Sequence, residues 1–116
     1  DLKAKISEIL PTAATKTAPV IIVAMSKKVV AHGMSFEVED YAAAVENILL
    51  AASALGYAAV WMDGMTQADK INTKIEELLD LPSEQTVRTI IPIGVPAKEI
   101  SGPQKMPYNE RVTVIE

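Results

Sequence analysis

The periodicities along this chain predict helices and strands layered together, an α/β or mixed α+β fold. Three observations carry that prediction. Two β-branched runs, VIIVAMS at 20–26 and TVRTIIPIGVP at 86–96, read as strands. Between them apolar residues recur at three- and four-residue steps, the spacing of helices. The order is helix, strand, helix, strand, helix, strand, tail and a closing strand.

Each element has its own reason. DLKAKISEIL, 1–10, puts Leu2, Ile6, Ile9 and Leu10 on one helical face, and Pro11 ends it. TAATKTAP reads as a small polar loop. The run 20–26 has no polar alternation, so it suits a strand buried on both faces. KKVVAHGMS reads as a loop or short hairpin arm turning at Gly33. From Phe36 to Leu55, Tyr41, Val45, Ile48, Leu49 and Ala52 share a stripe and alanines fill the rest. A helix apolar nearly all round is expected to be buried on most faces, in part at a subunit interface. Gly56 suits its C-terminal stop.

YAAVWMDG, 57–64, reads as the next strand, ending on an Asp-Gly turn. Thr66 can cap a helix over 67–80 that turns Ile71, Ile75, Leu78 and Leu79 inward. Pro92 inside the third strand suggests an edge or a bulge. RVTVIE, 111–116, alternates like a strand, and such a tail often pairs with a sheet on a partner subunit. No repeat or low-complexity tract interrupts the chain, which reads as one domain over 1–116.

Composition narrows the chemistry. A net charge of −4 argues against a nucleic-acid binder, which would need a basic face. With 49% apolar residues but only 4% aromatic, the core falls to Ala, Val, Ile and Leu. There is no cysteine, hence no disulfide, thiolate metal site or Cys nucleophile. The absence fits a cytoplasmic protein. The longest apolar stretch, 41–62, is interrupted by Glu46, Asn47 and Gly56, so no membrane span is expected. One histidine, His32, cannot build a His-rich metal site and reads as a loop residue. Glu37, Glu39 and Asp40 suit the positive end of the long helix. No dinucleotide or phosphate-loop glycine motif is present. No catalytic side chain and no metal ligand emerges, so any redox chemistry would fall to a cofactor.

Several blocks together resemble the nitroreductase family. NILLAASALG, 47–56, leading through a strand into WMDG, is similar to that family's central helix and the turn beside its flavin. IIPIGVPAKE, 90–99, resembles its strand with proline and glycine, and KMPYNERVTVIE, 105–116, resembles its C-terminal tail. The resemblance implies an α+β fold with a mixed sheet flanked by helices, a long buried Ala-rich helix, and a tail ending in an exchanged strand. It implies an FMN-dependent oxidoreductase taking hydride from NADH or NADPH and reducing a nitroaromatic, quinone or similar small acceptor. It further implies a homodimer with tail exchange.

Carried over by residue, the Asp63-Gly64 turn would offer a backbone N–H to flavin N5, with Trp61 and Met62 beside the ring. Lys105 would meet the FMN phosphate, although Pro103 stands where many relatives have a second basic residue. The alternative for the turn is a plain strand-to-helix connection with Gly64 at positive φ. The family's N-terminal Arg-rich motif has no counterpart here, and the first residue is not Met. The domain is therefore expected to be incomplete at its N-terminus. The rival functional reading is a non-enzymatic dimeric binding or assembly domain built on the same fold.

Overall fold

A computed structural model describes residues 1–99 and 101–115. Its axis is β3, Gln85–Gly94. β1, Val20–Lys27, and β2, Ala58–Ala59, flank it in the order β1-β3-β2. Both pairings are antiparallel, so the sheet of the described residues is not mixed as expected. β1 is an edge strand, half-buried with Val20 and Met25 exposed, rather than covered on both faces.

Pro92 lies in the central strand, against expectation. It stands opposite Ile21 of β1, while its carbonyl accepts from Val60 N–H at 3.2 Å. In an antiparallel ladder one residue's N–H and C=O point the same way. The missing donor of Pro92 therefore falls toward the short β2 side. That is where the regular ladder stops at Ala59, although Met62 N–H still reaches Ile90 O at 3.2 Å.

The register also slips once. Ala24 faces Thr89 and Met25 faces Val87, so Arg88 is an extra residue on β3. Because of this bulge, Val87 and Ile90 enter the same apolar cluster although three residues apart. Arg88 is freed to reach the helix on the sheet's other side.

Around the sheet, α1, Leu2–Ile9, and α5, Ile71–Leu78, cover one face. Ile6, Leu10, Met62, Ile71, Ile75, Val87 and Ile90 make the core there. The TAATKTAP segment is not all loop: Ala13–Thr17 form α2. Thr12 and Thr15 cap it reciprocally, each accepting the other's backbone N–H at 3.0–3.1 Å. α3, Glu37–Ala54, lies against β1 and β2. It ends in a Schellman motif, with Gly56 at φ +80° and Tyr57 N–H on Ala52 O at 2.8 Å.

In the single chain, two helix expectations change, and the outer face of α3 and the tail stand open. α3 is covered on one face only: Val45 and Ala52 are buried, while Leu50 is 59% and Leu55 73% exposed. The helix expected over 67–80 is two pieces, α4, Asp63–Gln67, and α5, broken where Asp69 and Lys70 take positive φ. Thr66 is no cap; it sits inside α4 with its hydroxyl on the Met62 carbonyl. The tail forms a short helix α6, Tyr108–Arg111, and residues 112–115 pair with nothing among the described residues. The expected pairing with a partner subunit's sheet is a matter between chains.

Candidate functional site

The residues 61–64 leave the side of β3 and turn directly into α4. Met62 precedes the helix and is buried in the core. Asp63, Gly64 and Met65 form its first turn, where N–H groups have no intrahelical acceptor. Thr66 N–H is the first to bond back, to Met62 O at 3.2 Å.

Gly64 is not at positive φ, so the backbone does not require glycine there. Nor does packing: a Cβ at Gly64 would meet nothing within 4 Å. Glycine in a helix interior is disfavoured by about 1 kcal/mol relative to alanine, and Gly64, in the first turn, bears at most that. The fold of this chain supplies no reason for that cost. The position is an exposed, side-chain-free approach to a turn with unpaired donors, which fits a flat ligand pressed against backbone.

Behind the turn is a polar cluster. Tyr41 from α3 donates to Asp63 Oδ2 at 2.7 Å. The Trp61 ring meets Tyr41 edge-on, with centroids 6.4 Å apart at 75°. Trp61 is half-buried, and its Nε1 is buried with no acceptor among the described residues. Arg88, turned by the bulge, lies over the Tyr41 ring at 5.9 Å. Its Nε donates to Ser26 Oγ at 2.7 Å, and its guanidinium pairs with Glu37 at 3.6 Å.

Ser35 donates to Glu37, and this bond, together with a backbone bond, holds the Glu37 carboxyl below the usual glutamate range; the Arg88 and Lys28 charges add to it. Burial, then the bond and charge of Asp63, push the Tyr41 phenol above its ordinary value, with Arg88 opposing.

Thus Trp61, Met62, Asp63 and Gly64 do come together. Lys105 does not join them: it lies in the exposed tail, with no ion pair to that turn among the described residues. His32 is exposed at a loop turn, as expected, and no acidic or histidine cluster suited to a metal occurs among the described residues. Tyr41, Arg88, Glu37 and Ser26 were not singled out from sequence for the site. Arg88 carried the one available signal, a lone charge inside an apolar strand. Separately, an apolar cleft of about 460 Å³ opens between α2 and the end of β3, walled by Ala18, Pro19, Val60, Pro92 and Val95, with Lys98 at its side. None of Trp61, Met62, Asp63 or Gly64 lines it.

The sequence model described as "Nitroreductase family" matches residues 6–95. The chain belongs to the nitroreductase family. A curated relative from Methanothermobacter thermautotrophicus, provisionally named NADH dehydrogenase/NAD(P)H nitroreductase, is 36% identical over 95 residues, 81% of this chain and 49% of that protein. One of the same provisional name from Archaeoglobus fulgidus is 33% identical over 68% of this chain and 45% of its own length. This nitroreductase-family chain therefore spans about half the length of those relatives. A crystal structure from Bacteroides thetaiotaomicron, also provisionally named NADH dehydrogenase/NAD(P)H nitroreductase, superposes with a TM-score of 0.77 at 25% identity, over 94% of this chain and 63% of that one. The α+β family fold is thereby shared.

Proposed function

We propose that this chain carries the ring-facing part of the flavin site of an FMN-dependent oxidoreductase. When bound, FMN supplies the redox chemistry, accepting hydride from NADH or NADPH and passing electrons to a nitroaromatic, quinone or similar small acceptor. The observation that carries this reading is Gly64, a helical glycine that neither φ nor packing explains. Its N–H and that of Asp63 would hold the ring at its N5 edge. Trp61 would flank the ring, and Met62, buried beneath, would anchor the turn. The relatives' names, which include NAD(P)H and nitroreductase, agree with the reading.

Lys105 is the proposed phosphate contact. Its place in the exposed tail, outside the ion pairs and hydrogen bonds of the turn, suits a homodimer in which each tail reaches the partner's site. The exposed outer face of α3 supports such an interface, and no helix among the described residues is long and apolar enough to cross a membrane. A cytoplasmic location is proposed with it. The same exposed face and tail also suit a second reading, a non-enzymatic dimeric assembly domain.

Gly64→Val separates the two. A Cβ at this position meets nothing within 4 Å, so the melting temperature should stay within about 3 °C, since about 1 kcal/mol shifts a domain of this size by a few degrees. FMN affinity, measured by fluorescence titration, should fall at least tenfold. Equal losses of affinity and stability would remove the argument from Gly64. A wild-type dimer that takes up no FMN would favour the assembly reading.

A further inference from the structure

We infer that Tyr41 is a positioning residue for the Asp63–Gly64 turn, acting through the Asp63 carboxylate. The inference rests on the flavin reading of that turn. Asp63 is the first residue of α4, so its carboxylate and the Gly64 N–H hang on the same peptide. Fixing one orients the other.

Met62, buried in the core with its N–H on Ile90 O at 3.2 Å, anchors the backbone just before α4, but among the described residues no side chain other than Tyr41 bonds to Asp63 or Gly64. The helix has five residues, too few to hold its own shape, and a left-handed kink at Asp69 and Lys70 follows it. The Gln67 amide reaches the Val87 and Arg88 carbonyls, and the Thr66 hydroxyl takes the Met62 carbonyl. Those bonds secure the back of the turn; neither touches Asp63 or Gly64. The bond from Tyr41, 22 residues away in sequence, does.

Tyr41 is itself held on several sides. Trp61 meets its ring edge-on, and Arg88 stands over the ring. Arg88 is in turn pinned by Ser26 of β1 and Glu37 of α3. The hydroxyl thus belongs to a braced side chain that ties α3 and both outer-strand regions to the turn. A braced donor loses little further freedom in making its bond, so the bond transmits position rather than following the turn's motion.

Tyr41→Phe removes the hydroxyl and keeps the ring against Trp61 and Arg88. In flavin-free protein, the backbone order parameter of the Gly64 N–H should drop from a rigid value near 0.85 to below about 0.6. The melting temperature should change by no more than a few degrees, because the carboxylate turns to water. Asp63→Asn keeps an acceptor for Tyr41 and should leave Gly64 ordered, whereas Asp63→Leu should reproduce Tyr41→Phe. FMN affinity of Tyr41→Phe should fall about tenfold. Unchanged order at Gly64 in Tyr41→Phe, or an affinity loss matched by a loss of stability, would overturn the inference. If wild-type protein takes up no FMN, the flavin reading fails alone, and Gly64 order still decides whether Tyr41 holds the turn.

Discussion

The two faces of the sheet are finished to different degrees. On the α1/α5 face, Ile75, Val87 and Ile90 have no exposed surface, and Ile6, Leu10 and Met62 close over them. On the other, α3 buries Val45 and Ala52 but turns Leu50 outward, and Leu55 just past its end is exposed too. Folding of the chain completes the first face by itself. The second stays open in the single chain. The turn at Asp63 lies where the two meet: Met62 belongs to the finished core and Tyr41 to the helix of the unfinished side.

Substitutions can break this contrast. Ile90→Ala strikes the finished face. Leaving a cavity where no surface is exposed should cost about 2–5 kcal/mol, read by denaturant unfolding. Leu50→Glu strikes the unfinished face. It should change single-chain stability by no more than about 0.5 kcal/mol. It should also convert the proposed dimer to monomer in sedimentation velocity, because a charge would enter the interface. A large stability loss without change of mass would mean that α3 is already covered within one chain.

The smallest expected effect is a change in pH dependence. Glu37 ionises more readily folded than unfolded, through Ser35, its backbone bond and the Arg88 and Lys28 charges. Its contribution is present above the unfolded value and is lost as pH falls through the folded one. Acid unfolding of Glu37→Gln should therefore be less steep below the usual glutamate range. Tyr41 works in the opposite direction. Its raised folded value gives a contribution that is present below the unfolded value and lost as pH rises, so Tyr41→Phe should flatten the alkaline limb. An acid limb unchanged in Glu37→Gln would separate Glu37 from the brace.

Much of this architecture was legible because local patterns carry it. The helical pattern from Phe36 to Leu55 gave α3 within a residue at either end, and the β-branched run gave β3. The resemblance of 47–64 and 90–99 to the nitroreductase family located the turn. What stayed hidden depends on residues distant in sequence. Periodicity cannot announce that Arg88 slips out of register, meets Ser26 from 62 residues away and stands over Tyr41. Pro92 looked like an edge residue because its missing donor matters only on the side where β2 is short. The Thr12–Thr15 cap was readable in principle, but Thr at the third position is a weaker signal than Glu. That the tail is unpaired within one chain could not be read from its alternation, because a strand's neighbour is set by distant residues.

The most direct test of the central claim, that the Asp63–Gly64 turn holds a flavin, is the visible absorption spectrum of the purified protein before and after adding FMN, with intact mass taken on the same sample. A flavin band retained through gel filtration, and lost in Gly64→Val while the fold persists, is the result this account predicts. A folded sample that stays colourless with FMN added would contradict it.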